Sequence, residues 1–484
     1  MDNVRILFEQ RSPAAIQASQ GWLDVPERRR VLLAGVLLGI AALSLAMGYV
    51  VAEEQLRLGL LLFLPLVVAL LFLIANSRFD LLVLALPLMA LTVPFDLPTG
   101  TESRVPIVLA LTLALCGLWV LSMVIHQRWY LAPSPINRPL LLFGVACIIS
   151  LVWGIIWRDP VLRMRALPNF SVVQIGSLLT YLASIGAALL IGNVARTEGR
   201  LKYLVGCFLF FGALMTGLQL LRIEHRIFTD NGLWGLWTVI PALGLLIAQP
   251  KLRWQWRLLL ALLIAANLYQ TMLVNTLWKS GWIPTLVAIF AATLLRSRRW
   301  FVVLLIAAAI VGYTQREFLN QMIAAELSEG ADQRASLWET NLRVISEHWL
   351  FGTGPTGYAP YYMTYFRSDA RSTHNNYLDI IAQFGIVGSA LWLWLAFAST
   401  MEGIRLFRET QPGFLKTMAL IATSGWIGAQ ASMFFGDWIL PFAYNQTIAG
   451  YKYTVYSWLF LGTLISIRQI IRRRQGISPA QEAV

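Results

Sequence analysis

A histidine followed by two asparagines, His374-Asn375-Asn376, stands where a long polar interval gives way to an apolar run. Arg367 and Arg371 precede it, and Ser372 and Thr373 are residue types that start helices. A helix N-terminus and neighbouring arginines both disfavour the imidazolium, so the ring is expected to be neutral at physiological pH. A neutral histidine can take a proton from a sugar hydroxyl, which is general-base chemistry. The same residues also suit an interfacial histidine that hydrogen-bonds its own loop. Ionisable groups at membrane depth are costly, which favours function.

A second set of residues could bind phosphate. Arg226 and Lys279 stand at the edges of apolar runs, with Arg222 close to Arg226, and Arg334 lies in the long polar interval. Guanidinium groups suit bidentate phosphate binding, and lysine serves as a compact point charge. Snorkelling to lipid headgroups is the competing reading. Tyr358, Tyr361, Tyr362, Tyr365 and Phe366 cluster ahead of the histidine. They can stack on sugar rings or form an interfacial aromatic belt. Asn375 and Asn376 are candidate glycan or acceptor contacts, and Asp379 or Glu347 could orient His374 or balance the arginines. No Asp-x-Asp pair occurs, which disfavours a nucleotide-sugar enzyme with a metal-held diphosphate. Four histidines without metal-ligand spacing predict no metal centre. Cys116, Cys147 and Cys207 lie inside apolar runs and read as small core residues. No cofactor is expected.

The elements that must position these groups are membrane helices. Of 484 residues, 57% are hydrophobic and only 13% charged, against roughly 25% charged in soluble domains. The fold class is therefore all-α, a polytopic membrane protein. Spans of about 20 apolar residues fall near 31–52, 57–75, 80–95, 105–125, 139–157, 171–194, 202–221, 232–249, 257–278, 280–295, 300–313, 376–400, 416–435 and 449–467. That makes about 14 transmembrane helices. About 30 polar residues precede the first run, which is too long for the core of a cleavable signal. It is expected to be a retained span.

The net charge of +13 reads as inside bias and contact with anionic membrane lipid rather than nucleic-acid binding. With an inside N-terminus, Arg28-Arg29-Arg30, Arg196, Arg200, Arg296, Arg298, Arg299 and Arg472-Arg473-Arg474 all fall on the cytoplasmic side. The expected organisation is a cytoplasmic segment 1–30, helices one to eleven over 31–313, and an external loop 314–375. Helices twelve to fourteen over 376–467 and a cytoplasmic basic tail 468–484 follow. Both termini are then cytoplasmic, and His374 is periplasmic or extracellular. Within the long loop, 332–349 has Leu337, Asn341, Val344 and Ile345 at helical spacing, with Asp332 as N-cap. Gly352, Gly354, Pro355 and Gly357 break that helix.

From Arg334 to Gly388 the chain resembles the bacterial O-antigen ligase and O-antigen polymerase superfamily. Arg334 and Trp338 open a helix, and Gly352-x-Gly354 forms a turn. His374, Asn375, Tyr377 and Leu378 then give the His-Asn-x-Tyr-Leu pattern, with Gly385 and Gly388 entering the next span. Upstream, His225-Arg226-Ile227-Phe228 through Asn231 is similar to the family's arginine-to-asparagine stretch. Trp278-Lys279-Ser280-Gly281-Trp282 is similar to its Ser-Arg-Gly segment, with lysine where arginine is usual. The clear resemblance covers about 222–400, and the first 200 residues match in hydropathy alone.

The resemblance implies a metal-independent glycosyltransferase of the polytopic, lipid-sugar-dependent class, with a GT-C-like architecture, in the bacterial inner membrane. Its donor would be a glycan on undecaprenyl diphosphate, and its acceptor a hydroxyl on lipopolysaccharide core or on a second lipid-linked repeat. Arg222, Arg226, Lys279 and Arg334 would hold the departing diphosphate, and His374 would deprotonate or position the acceptor. Inversion at the anomeric carbon is the expected outcome, and a polymerase would work with a chain-length regulator. A transporter or flippase of lipid-linked oligosaccharide is the alternative. The chain shows no pair of matching halves of the kind transporters carry.

Overall fold

The computed structural model describes residues 79–93, 96–98, 104–125, 127, 130–162, 167, 169–223, 232–275, 279–317, 320–321, 331–366 and 372–476. The expected spans 31–52 and 57–75 lie outside the described residues. Contacts divide the chain into Met1–Phe79 and Asp80–Val484, and the fold below concerns the second unit.

Helix α1 (Phe79–Thr92) leads into a short antiparallel pair, β1 (Asp96–Pro98) and β2 (Arg104–Pro106), with Leu97 opposite Val105. This pair was not foreseen, because three residues carry no period. Helices α2 (Ile107–Ile125), α3 (Asn137–Ile156), α4 (Phe170–Val194), α5 (Glu198–Leu220), α6 (Trp234–Ala248) and α7 (Trp254–Leu268) follow. Helix α7 continues as a π turn over Tyr269–Val274. Next come α8 (Lys279–Arg296), α9 (Arg298–Thr314), α10 (Ala331–Glu347), the single turn α11 (Ala359–Tyr361), α12 (Asn376–Glu409), α13 (Phe414–Ser432) and α14 (Tyr451–Arg474). A helix therefore stands at each of the twelve expected spans from 80 onward.

Seven described helices are long and apolar enough to cross a membrane: α2, α3, α4, α5, α7 with its π turn, α12 and α14. The chain is thus an all-α polytopic membrane protein. Helix α13 is less apolar because Thr417, Thr423, Ser424 and Ser432 lie along it, yet all four are buried. It packs between α6, α8, α12 and α14, and a helix enclosed by helices does not have to satisfy lipid. Its hydroxyls bond carbonyls one turn back, as Thr423 Oγ1 does to Ala419 at 2.6 Å. Helix α9 is the opposite case, with no buried residue.

The core sits where α12, α13 and α14 meet. Trp392, Trp426 and Trp458, one from each, bring their ring centroids within 5.9–6.3 Å of one another. Trp237 of α6 stacks on Phe460 at 4.1 Å and donates to Ser457 Oγ at 3.1 Å. Rings of this size bury a large apolar area, and the three tryptophans meet in the tilted and edge-on contacts that aromatic pairs favour.

Polar bonds between helices sort the bundle into two ends. At one end Arg200 pairs with Asp80, Arg474 with Glu198, and Arg468 with Glu402, while Arg296 Nε donates to the Ile247 carbonyl. Arg196, Arg298, Arg299, Arg472 and Arg473 belong to this basic end. The opposite end gathers the turns after α3, α10 and α13 and the start of α12. His374 lies there.

Candidate functional site

Helix α12 is broken near its start, and the break organises the site. Gly385 has φ 63° and ψ −166°, a backbone region essentially restricted to glycine. The break frees carbonyls and amides that a continuous helix would pair. The segment 349–354 takes them up. Ile386 N donates to Trp349 O (2.8 Å) and Val387 N to Leu350 O (3.3 Å). In return Thr353 N and Gly354 N donate to the carbonyls of Ala382 and Gln383, each at 2.9 Å. The approach is so close that a Cβ on Gly385 would stand 2.3 Å from Leu350 O, and one on Gly352 2.4 Å from the Gln383 carbonyl carbon. Residues 352–362, expected as part of an external loop, are therefore buried against α12. Irregular backbone is tolerated among membrane helices only when protein encloses it.

Gln383 locks the two strands of chain together. Its Oε1 accepts from Tyr181 OH (2.9 Å) and Thr356 N (2.7 Å), and its Nε2 donates to Asp379 O at 3.1 Å. Ser150 of α3 donates to the Phe351 carbonyl at 2.7 Å.

The turn that carries His374 hangs on Asp379, which is 1% exposed. Asp379 Oδ1 accepts from Tyr358 OH (2.6 Å), Thr373 Oγ1 (2.7 Å) and Thr373 N (3.3 Å), and Oδ2 accepts from Ser372 Oγ at 3.3 Å. Ser372 Oγ accepts in turn from His374 N at 2.9 Å. Trp338 of α10 donates to the Thr373 carbonyl at 2.9 Å. Four donors on one carboxylate, plus the indole from outside, hold the turn in a conformation with His374 at φ 53°. A non-glycine residue there is strained. His374 itself is half-buried and is engaged by the protein rather than free.

The helix starts at Asn376, where the span was expected, but the left-handed His374 changes its cap. Asn375, not Ser372 or Thr373, is its N-cap, with Oδ1 accepting from Tyr377 N (3.0 Å) and Leu378 N (3.4 Å). Asn376 clamps the loop after α13. Its Oδ1 accepts from Ile439 N and Leu440 N, each at 3.2 Å, and its Nδ2 donates to Leu440 O at 2.9 Å. That loop folds around Asp437, which accepts from Phe442 N (2.8 Å) and Asn445 Nδ2 (2.6 Å). Burial, then the Asp379 charge, push the Asp437 carboxyl up to about 7.

The aromatic cluster divides. Tyr358 and Tyr362 are fully buried; Tyr358 stacks on Phe442 at 4.6 Å and Tyr362 donates to Leu337 O at 3.3 Å. Burial and the Asp379 charge hold the Tyr358 hydroxyl protonated. Tyr361 and Tyr365 point the other way, towards His348 and Asp159. Helix α10 runs from Ala331, so Asp332 lies within it rather than ahead of it, and Val344 and Asn341 are buried as the spacing predicted.

Of the four expected diphosphate ligands, Arg226 lies outside the described residues, and so does the side chain of Arg334 in α10. Lys279 opens α8, half-buried and with a partner. Arg222 follows the end of α5, exposed, at φ 54°. By chain direction, both stand at the end of the bundle that holds His374. Asp437 was missed in the sequence, where nothing marks a lone aspartate as buried. For Asp379 the sequence offers no more than it offers for Glu347, a carboxylate that could orient the histidine or balance the arginines. Among the described residues no group of three His, Cys, Asp or Glu is placed to hold a metal ion.

No curated protein matches the chain. The O-Antigen ligase family model matches residues 258–393, from α7 through the break in α12, a range that contains Lys279, Arg334, Asp379 and His374. This match bears out, over those residues, the resemblance read from the sequence.

Proposed function

We propose that the chain is a glycosyltransferase that moves a glycan from undecaprenyl diphosphate to an acceptor hydroxyl at the outer face of the cytoplasmic membrane. The observation that carries this reading is the Asp379-anchored turn, which holds His374 half-buried inside the O-Antigen ligase match. The basic end of the bundle faces the cytoplasm by the positive-inside rule, so His374 lies on the outer side.

A ring nitrogen of His374 takes the proton of the acceptor hydroxyl as its oxygen attacks the anomeric carbon. The bond from that carbon to the diphosphate oxygen breaks, and undecaprenyl diphosphate leaves with the electron pair. Lys279, Arg222, Arg226 and Arg334 stabilise the charge that develops on it. One displacement inverts the anomeric centre. No step calls for a metal. The acceptor decides between ligase and polymerase, since both need the same leaving-group site.

The test is to incubate the purified chain in liposomes with an undecaprenyl-diphosphate glycan and analyse the lipids by mass spectrometry. Free undecaprenyl diphosphate together with a ladder of longer lipid-linked glycans marks a polymerase; transfer to added lipopolysaccharide core marks a ligase. Intact donor with every acceptor offered would refute the proposal.

A further inference from the structure

We propose that the end of α3 and the outer side of the 358–366 segment form a shelf that holds the glycan chain, separate from the His374 turn. The inference rests on the glycosyltransferase reading.

The shelf starts at Trp157, which caps α3. Its ring stacks on Trp153 with centroids 4.0 Å apart and planes 22° apart, and Trp157 is 55% exposed. One face is covered by Trp153 and the other is open. Trp153 rests in turn on Phe351 of the buried segment, at 5.1 Å. The next two residues bring charge to the same place. Arg158 donates to Gln174 Oε1 at 2.7 Å and lies over the Phe170 ring at 5.4 Å. Asp159 accepts from the Tyr365 hydroxyl and from Val161 N, and these bonds hold its carboxyl below the usual range, so it is ionised. Tyr361 sets its ring edge-on to His348 at 4.7 Å, and burial keeps that imidazole below its ordinary value, hence neutral.

A pyranose ring has an apolar C–H face and a rim of hydroxyls that donate and accept. An open indole face flanked by a carboxylate, a guanidinium and a phenol is its complement. A tryptophan that merely marks the membrane interface calls for none of these oriented partners. The shelf also joins the reaction turn directly. Tyr358 and Tyr362 present one side of the segment to Asp379 and the α10 helix; Tyr361 and Tyr365 present the other to His348 and Asp159. One short segment therefore faces the shelf on one side and the residues that anchor the His374 turn on the other.

The test uses the full chain with an undecaprenyl-diphosphate glycan, and with the lipid-free oligosaccharide that mild acid releases from it. Trp157→Ala and Asp159→Asn are expected to raise KM for the lipid-linked glycan about tenfold with kcat within about twofold. Trp157→Phe, which keeps a stacking ring, should restore most of the loss. The lipid-free oligosaccharide should protect His348 from diethyl pyrocarbonate in the wild type and in His374→Ala, and not in Trp157→Ala. Unchanged KM in both shelf variants, or no protection of His348 by the oligosaccharide, would overturn the shelf. If His374→Ala still transfers at the wild-type rate, the transferase mechanism fails instead, and protection of His348 continues to decide the shelf by itself.

Discussion

Asp379→Asn removes one charge from the turn and almost no volume. In the wild type Tyr358 and Thr373 place their hydroxyls 2.6 and 2.7 Å from Asp379 Oδ1. Hydrogen bonds to a charged acceptor contribute about 1.5–3 kcal/mol, against about 0.5–1.5 for neutral pairs. Losing the charge therefore weakens each of these two bonds by about 1 kcal/mol, or about 2 kcal/mol together. Asparagine also turns a donor towards Ser372 Oγ, which already accepts from His374 N. If that free energy is what holds His374 at its left-handed φ, transfer should slow about 30-fold. Asp379→Ala, which leaves buried hydroxyls without an acceptor, should also lower the apparent melting temperature. The assay is the initial rate of undecaprenyl diphosphate release per folded molecule, with folding checked by thermal melting. Wild-type turnover by Asp379→Asn would refute the claim that the carboxylate positions the turn.

Three other perturbations test the frame around the site. Gly385→Ala places a Cβ 2.3 Å from Leu350 O in a backbone region only glycine adopts; strain of about 1–3 kcal/mol plus displacement of 349–354 should lower the melting temperature and abolish transfer. Asp437 titrates at about 7 in the folded chain and at about 3.9 when unfolded. The folded state therefore holds more protons between those values, so stability is greatest below pH of roughly 4 and falls as pH rises through about 7. Asp437→Asn should flatten that slope in melting curves and melt no lower than the wild type at alkaline pH. At the basic end, Arg468 pairs through both Nε and Nη2 with Glu402, whose side chain is 1% exposed. Arg468→Met leaves a buried carboxylate unpaired and should cost about 3–5 kcal/mol, with turnover per folded molecule unchanged because the pair lies at the end remote from His374.

Much of the fold was legible because hydropathy records what faces lipid. The apolar runs from 80 onward each became a helix, and even α13, whose hydroxyls dilute the signal, kept its place. The site was legible in part. Gly385 and Gly388 marked a special entry to the span, and the Trp338, Gly352 and His374 pattern marked segments that the structure brings together. The docking of 349–354 into the break was hidden, since it depends on backbone bonds between residues some thirty positions apart. Polar type alone did not reveal which groups serve the fold. Asn376 looked like a substrate contact, yet both its amide atoms bond the 439–440 backbone. Tyr358 and Tyr362 looked like a sugar platform, and they are enclosed. Trp157, one of several exposed aromatics at this end, carries no mark in the sequence, because a tryptophan at a span's edge is ordinary in membrane proteins.

The central claim is that His374 takes the acceptor proton, and a single-turnover transfer rate tests it most directly. Wild type, His374→Ala and His374→Gln would be preloaded with an undecaprenyl-diphosphate glycan, mixed with acceptor in the presence of EDTA, and sampled over a range of pH. A loss of roughly 10²–10⁴-fold in both variants, with donor binding retained and the wild-type rate falling at acid pH as the ring protonates, is the predicted result. Transfer by His374→Ala at the wild-type rate and with the wild-type pH profile would contradict it.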